Sequence, residues 1–212
     1  MADLSERLAT ERLATAGSTT AVLLAAGAGT RLGLGPKALL PFRGRTLVEV
    51  LSDVLLAGGC REVVAVLGAD ASTVRAGTDL SRHRVIDNPD WATGMGSSFR
   101  LGVAAAAPED HVLVALVDQP GLTPGTVARL LAAHRPGRVT AAAYRDAEGT
   151  LQRGHPLLLD AGLRAEAAET ATGDAGARVF LRAHPDLIDL VDCSALSGGE
   201  DLDSPEQLHL LD

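Results

Sequence analysis

The residues best suited to chemistry lie in one stretch, between residues 20 and 37. After a short apolar run, this stretch contains the glycines Gly27, Gly29, Gly33 and Gly35. Because a glycine has no Cβ, its backbone N–H group can come close to a ligand. The same loop carries Arg31 and Lys37, and Lys37 is the only lysine of the chain. Fixed cations beside such a loop suit a polyphosphate, so the stretch predicts a loop that binds a nucleoside triphosphate.

The spacing of this loop excludes two better-known nucleotide loops. The dinucleotide-binding fingerprint is G-x-G-x-x-G, whereas three residues separate Gly29 from Gly33 here. The P-loop requires Gly-Lys followed by Ser or Thr, whereas Pro36 precedes the lysine here and Ala38 follows it. What remains is a phosphate loop of another kind or an ordinary strand-to-loop turn, and the two cations favour the phosphate site.

Carboxylates elsewhere in the chain can supply a metal site for the phosphates. Asp118 follows the apolar run 111–117, and a carboxylate at the tip of a buried strand is unfavourable without a partner. Mg²⁺ is a suitable partner, because it binds one or two carboxylates together with phosphate oxygens. Asp203 or Asp201 can provide the second carboxylate. The alternatives are a turn role for Asp118 and capping of the last helix by Asp201 or Asp203.

A second loop rich in glycine and serine spans residues 88–98. We expect Ser97 or Ser98 to cap a helix at 99–107, whose first N–H groups can face a ligand. Trp91, the only tryptophan, either anchors this loop or forms a wall of a substrate pocket. His155 is a candidate contact for a second substrate, although packing in the core is the commoner role of a lone histidine.

Apolar runs alternate with segments of helical spacing along the whole chain. The strands are predicted at 21–26, 62–67, 84–87, 111–117, 138–144, 154–159 and 187–191, and the longer helices at 46–57, 124–134, 161–170 and 177–183. This alternation predicts an α/β fold of three layers with a mostly parallel sheet, and 111–117 as its central strand. Ligands of such sheets bind beyond the carboxyl ends of the strands, where both loops and Asp118 are expected.

Length and composition restrict the possible functions. We expect residues 20–212 to form a single domain, and 1–19 to be an N-terminal extension that is either an amphipathic helix or frayed. The chain has 27 acidic and 19 basic residues and a net charge of -8, which disfavours a nucleic-acid partner.

No stretch is long enough for a membrane span and 1–19 is charged, so we expect a cytoplasmic protein. The six histidines offer no ligand pair on a helix, so a zinc site is not expected.

Several of these motifs together resemble a known enzyme family. The motifs are residues 24–31 with Pro36 and Lys37, then 88–98, 118–120, 154–156, 173–178 and 201–205. Together they resemble the molybdenum cofactor cytidylyltransferases and their relatives, which are nucleotidyltransferases with a Rossmann-like, GT-A-type fold. The resemblance extends from residue 21 to about residue 208. Residues 25–27 and Pro36-Lys37 favour cytidylyl transfer over guanylyl transfer within this group.

The resemblance implies CTP, Mg²⁺ and a molybdopterin-type acceptor, with a molybdenum hydroxylase receiving the product. It implies a catalytic role for Arg31, Lys37 and Asp118, and metal binding by Asp118 and Asp203. The implied nucleotide contacts are Leu24, Ala25, Ala26, Gly27, Gly29, Thr30, Arg31, Lys37, Gly94, Met95, Gly96, Ser97 and Ser98. The implied acceptor contacts are Trp91, Gln119, His155 and Asp174.

Two other functions stay open at this point. One is nucleotidyl transfer from CTP or GTP to another phosphorylated acceptor, such as a sugar phosphate, a polyol phosphate or a phospholactate-like compound. The other is a non-catalytic protein that binds a nucleotide or delivers a cofactor. The loop also departs from the family spacing, because Leu34-Gly35 makes it one residue longer before Pro36.

Overall fold

The apolar runs of the sequence form one large sheet in the computed structural model, which describes residues 17–211. The strands are β1 (Thr19–Ala25), β2 (Pro41–Phe42), β3 (Arg45–Thr46), β4 (Glu62–Leu67), β5 (Arg84–Asp87), β6 (His111–Leu116), β7 (Val139–Arg145), β8 (Leu151–Leu159) and β9 (Ile188–Asp192). Seven of them pair in the order β5-β4-β1-β6-β8-β7-β9, and β2 and β3 form a small separate hairpin. The predicted central strand is confirmed, because β6 is the fourth of seven.

The direction of the strands is mostly parallel, as predicted. β1 pairs in parallel with β4 and β6, and β7 pairs in parallel with β9. β8 runs antiparallel to both of its neighbours, β6 and β7. The carboxyl ends of β1 and β6 therefore lie side by side at one edge of the sheet, which is where such sheets bind ligands.

Helices cover both faces of the sheet. The α-helices are α1 (Leu47–Ala57), α2 (Ala71–Ala76), α3 (Met95–Ala105), α4 (Pro124–Ala133), α5 (Arg164–Glu169) and α6 (Arg178–Ala183). In the part of the chain that the structure describes, five short 3₁₀ segments are Lys37–Leu39, Trp91–Thr93, Gly173–Ala175, Pro185–Leu187 and Pro205–Leu211. Among residues 17–211, no helix has the length and apolar character needed to cross a membrane.

The hydrophobic core consists of two layers, one on each face of the sheet. Alternate residues of β1 enter different layers, since successive side chains of a strand point to opposite faces. Leu23 packs with α1 and α4, whereas Val22 packs with Phe99 of α3 and Phe180 of α6, and all four side chains are almost completely buried. The predicted three-layer α/β/α architecture is therefore confirmed.

Some local predictions were wrong in their bounds; strand β8, for example, begins at Leu151 rather than 154. Helix α3 begins at Met95 rather than 99, and its N-cap is Gly94 at φ +111° rather than Ser97 or Ser98. A residue with a Cβ is strained at this φ, so glycine allows the chain to enter the helix one turn earlier. Helix α5 begins at Arg164 rather than 161. Of the N-terminal extension expected at 1–19, residues 1–16, where an amphipathic helix is one of the two alternatives, lie outside the described residues.

Candidate active site

The glycine loop after β1 closes on itself. Gly29 has φ +62°, and a Cβ at this position would lie 2.1 Å from the carbonyl oxygen of Gly35. Only glycine fits this approach of two backbone segments. The extra length of the loop lies at Leu34-Gly35, where Leu34 is exposed and Gly35 takes φ +82° and supplies the carbonyl of this contact. The longer loop therefore still delivers Lys37 to the edge of the sheet.

Lys37 joins the two carboxylates that the sequence predicts as metal ligands. Its Nζ lies 3.0 Å from Oδ2 of Asp118 and 2.6 Å from Oδ1 of Asp203. Arg31 approaches the other oxygen of Asp203 at 3.6 Å, and its side chain is 79% exposed. The carboxylates come from distant parts of the chain, and the backbone N–H of Leu202, which donates to the carbonyl of Asp118 at 2.7 Å, holds them together.

The charges of this group reinforce one another. Burial opposes the charge of Lys37, but its hydrogen bonds and ion pairs with Asp203 and Asp118 outweigh burial and raise its pKa. The hydrogen bond from Lys37 holds the pKa of Asp203 below its usual range, although burial opposes this. The site therefore contains an ionised lysine and an ionised carboxylate at neutral pH.

The residues at this position fit a divalent cation. Oδ1 of Asp118 is buried and has no hydrogen-bond partner, although buried carboxylate oxygens are normally satisfied. Two carboxylates beside an open cavity are the ligand type that Mg²⁺ or Mn²⁺ binds together with phosphate oxygens. Asp201 differs from them, because it accepts a hydrogen bond from Gln119 Nε2 at 2.8 Å and burial raises its pKa. Asp118 and Asp203 are therefore the better pair.

A cavity of about 410 Å³ lies between the glycine loop and the second loop. The predicted nucleotide contacts that line it are Leu24, Ala26, Gly27, Gly29, Thr30, Arg31, Lys37, Gly94, Met95 and Ser98. Three other predicted contacts do not line it. Ala25 packs in the core on the α1 side of the sheet, Gly96 packs against the backbone at Thr172, and the Ser97 hydroxyl is buried in a hydrogen-bond network.

The side chain of Asn88 fixes the second loop through hydrogen bonds. Its side-chain amide donates to the hydroxyls of Ser97 at 2.8 Å and Ser98 at 2.9 Å. The Ser97 hydroxyl in turn donates to the carbonyls of Gly94 and Asp90. The two serines predicted as helix caps or ligand contacts thus hold the loop in shape, and only Ser98 also reaches the cavity.

A larger cavity of about 820 Å³ adjoins the first one. The predicted acceptor contacts Gln119, His155 and Asp174 line it, whereas Trp91 lines the smaller cavity instead. Asp118 and Asp203 line both cavities. A group held at these carboxylates can therefore contact ligands in both cavities at once.

The larger cavity also contains residues that the sequence reasoning missed. They are Tyr144, Arg145, Gln152, Arg153, Arg178 and the glycines 198 and 199. Arg178 stands in the motif at 173–178 and could have been selected as a basic contact. Tyr144 and Arg153 follow no motif, and only the pairing of β7 with β8 brings them to the cavity.

His155 lies in β8, where the Tyr144 hydroxyl donates to its backbone carbonyl at 2.8 Å. Burial lowers the pKa of its imidazole to about 4, although the charge of Asp118 acts in the opposite direction. His155 is therefore neutral at physiological pH. A neutral imidazole facing the larger cavity can accept a proton from a ligand or donate a hydrogen bond to it.

Comparison with known proteins shows two kinds of similarity. The MobA-like NTP transferase domain matches residues 21–187. Nicotine blue oxidoreductase from Paenarthrobacter nicotinovorans is 60% identical over 194 residues, which are 91% of this chain and 95% of that protein.

Solved structures share the fold over nearly the whole chain. A nucleotidyl transferase from Methanothermobacter thermautotroptrophicus has a TM-score of 0.77 and 25% identity, and the match covers 92% of this chain and 96% of that one. A complex of Rv0371c from Mycobacterium tuberculosis H37Rv with manganese has a TM-score of 0.74 and 26% identity, and the match covers 92% and 98% of the two chains.

Proposed function

Because this chain belongs to the MobA-like NTP transferase family and is a nucleotidyltransferase by that membership, we propose that it transfers CMP from CTP to a molybdopterin-type acceptor. The observation that carries the proposal is the position of Lys37, Asp118 and Asp203 at the junction of the two cavities. The smaller cavity takes CTP and the larger cavity takes the acceptor. A molybdenum hydroxylase is the proposed recipient of the product.

The reaction requires positioning and charge neutralisation rather than a protein nucleophile. An oxygen of the acceptor attacks the α-phosphorus of CTP, and the bond from this phosphorus to the pyrophosphate oxygen breaks. The glycine loop holds the triphosphate, and the two cavities align the attacking oxygen with the leaving group. Lys37 and Arg31 offset the negative charge that develops on the phosphate oxygens.

Asp118 and Asp203 are the residues that would hold Mg²⁺. When bound, a divalent cation neutralises phosphate charge and stabilises the leaving pyrophosphate. The buried and unpartnered Oδ1 of Asp118 supports this assignment. Lys37, which pairs with both carboxylates in this structure, is then free to contact the triphosphate.

Pyrophosphate release tests the proposal directly. We expect release from CTP and Mg²⁺ only when molybdopterin is present, and little release from ATP, GTP or UTP. The Asp118→Asn variant should lose release and divalent-metal affinity together. Asp201→Asn is the matched control for metal binding, since Asp201 pairs with Gln119 instead. Release with GTP alone would refute the base assignment, and release with another phosphorylated acceptor would replace molybdopterin.

The similarity to nicotine blue oxidoreductase supports a second candidate function. At 60% identity over nearly the full length of both chains, a shared reaction is a serious alternative. In that case the larger cavity would take nicotine blue, and a hydride donor such as a reduced nicotinamide dinucleotide would bind in the smaller cavity without the dinucleotide-binding fingerprint, which the glycine loop lacks. Hydride transfer from the nicotinamide, with a proton from solvent, would reduce the dye.

The two candidates differ in what they require of the carboxylates. Nucleotidyl transfer needs the metal pair, whereas hydride transfer has no such need. Loss of the blue absorption with a reduced nicotinamide dinucleotide, in both wild type and Asp118→Asn, would support the oxidoreductase. Nucleotide binding without either reaction would instead support a non-catalytic delivery protein.

A further inference from the structure

Two histidines and an aspartate meet at the end of the sheet opposite the candidate active site. His111 is the first residue of β6, His134 follows α4, and Asp160 follows β8. Their possible ligand atoms all lie within 4.8 Å of one another. Residue spacing did not indicate this cluster, because its members are far apart in the chain and no two share a helix.

The distances in this cluster are close to those of a metal site. Nδ1 of His111 lies 3.5 Å from Oδ2 of Asp160, and Nε2 of His134 lies 3.7 Å from the same oxygen. Zinc holds nitrogen and oxygen ligands at about 2.0–2.2 Å in a tetrahedron, which separates the ligand atoms by roughly 3.3–3.6 Å. The two distances to Asp160 are thus within a few tenths of an ångström of this separation, and the two histidine nitrogens, which lie at most 4.8 Å apart, would have to reach it as well.

His134 supplies an independent observation, because its Nε2 is buried and has no hydrogen-bond partner. Only 7% of this side chain is exposed. Its other nitrogen, Nδ1, lies 2.9 Å from Oγ1 of Thr140, which fixes the ring. Nε2 is unsatisfied in either tautomer, since the carboxylate is too far away for a hydrogen bond. A buried polar atom in this state indicates a missing ligand.

The three groups present electron pairs to one another. The backbone N–H of Ala161 donates to Nδ1 of His111 at 3.0 Å, so this nitrogen carries no proton. Oδ1 of Asp160 accepts a hydrogen bond from the backbone N–H of Gly162 at 2.8 Å, and Oδ2 of the same carboxylate faces the two histidines.

We propose that His111, His134 and Asp160 bind a divalent transition metal, with zinc as the best match. Two imidazole nitrogens and one carboxylate oxygen suit zinc better than Mg²⁺ or Ca²⁺. Solvent supplies the fourth ligand, and the metal replaces the N–H of Ala161 at Nδ1 of His111. The metal joins β6, the end of α4 and the end of β8, so its role is to stabilise the fold.

Zinc binding by the whole chain tests this proposal. Protein freed of metal with a chelator is dialysed against ZnCl₂ in excess Mg²⁺, which keeps the carboxylates of the active site occupied. We expect one zinc per chain and a higher unfolding temperature. His134→Gln and Asp160→Asn should each weaken zinc binding by about a hundredfold or more. His184→Gln is the matched control, because this exposed histidine pairs with Glu166 away from the cluster.

Wild-type protein alone gives a second readout if the variants do not fold. In long-range ¹H–¹⁵N spectra, zinc should shift one ring nitrogen in each of two histidines. No stoichiometric zinc, or equal binding by all the variants, would overturn the proposal. Zinc lost in Asp118→Asn but kept in His134→Gln would also overturn it.

Discussion

Replacing Lys37 by alanine should separate two roles of this side chain. One is to pair with the carboxylates of Asp118 and Asp203, and the other is to stabilise the transition state of the reaction. Lys37 makes hydrogen bonds of 3.0 and 2.6 Å to Asp118 and Asp203, and its side chain is 13% exposed. A charge-assisted hydrogen bond of this kind contributes about 1.5–3 kcal/mol. The bond to Asp203 contributes less, about 1 kcal/mol or below, because that side chain is 44% exposed and solvent screens the pair.

Lys37→Ala should change three quantities, and the Mn²⁺ affinity should change in the opposite direction to the stability and the turnover. The free energy of unfolding should fall by about 2–3 kcal/mol, because Asp118 loses its paired charge. Mn²⁺ should bind about tenfold more tightly, the equivalent of ~1.4 kcal/mol, because no internal cation competes for the carboxylates. Turnover should nevertheless fall by about a hundredfold, because one charge that stabilises the transition state is lost.

Three measurements check these values. Urea unfolding gives the stability, electron paramagnetic resonance titration gives the Mn²⁺ affinity, and pyrophosphate release gives the turnover. Arg31→Ala is the control, since its exposed pair with Asp203 at 3.6 Å should change the stability by less than about 1 kcal/mol. Weaker Mn²⁺ binding in Lys37→Ala, or unchanged stability, would refute the assignment of Lys37 as the internal counterion of the metal pair.

Two further predictions concern the glycine loop and the opposite end of the sheet. Gly29→Ala should lower the free energy of unfolding by about 1–3 kcal/mol, because φ is +62° and a Cβ meets the carbonyl of Gly35. Gly27→Ala, where nothing lies within 4 Å of a Cβ, should leave urea unfolding nearly unchanged; equal losses in both variants would contradict the steric explanation. Burial opposes ionisation of Asp110, but hydrogen bonds from two hydroxyls and from Arg61 outweigh it and hold the pKa of Asp110 below its usual range. The stability that this carboxylate contributes is present at neutral pH and is lost as the pH falls through its folded pKa. Asp110→Asn should therefore be less stable by about 2–3 kcal/mol at pH 7, and unfolding curves recorded at decreasing pH should converge; a constant difference would contradict this linkage.

Strands β1, β4 and β6 were readable from the sequence because each contains a continuous apolar run. Residues 62–67 and 84–87 form strands with the predicted bounds. The antiparallel direction of β8 was not readable, since an apolar run between turns is the same in either direction. The early start of α3 was missed for a different reason: Ser97 and Ser98 are good caps by residue type, but the left-handed φ of Gly94 sets the cap three residues earlier.

The active site was partly predictable for a similar reason. Lys37 lies in the glycine loop that follows β1, and Asp118 comes directly after the apolar run 111–117, so the parallel sheet brings both to one edge. The choice between Asp201 and Asp203 depended on side-chain direction, which only the structure gives. The cluster of His111, His134 and Asp160 depends on the packing of three separate segments, and residue spacing carries no information about such packing.

The close backbone contact beneath the two cavities has a kinetic consequence. A Cβ on Gly94 would lie 2.4 Å from the carbonyl carbon of Gly173. Gly94 lines the smaller cavity, and Asp174, the neighbour of Gly173, lines both. A ligand that orders the loop at Gly94 therefore also orders a wall of the larger cavity. We expect each substrate to tighten the binding of the other, because a coupling between two binding sites is reciprocal, and initial-rate kinetics should show it as a lower KM for one substrate when the other is present.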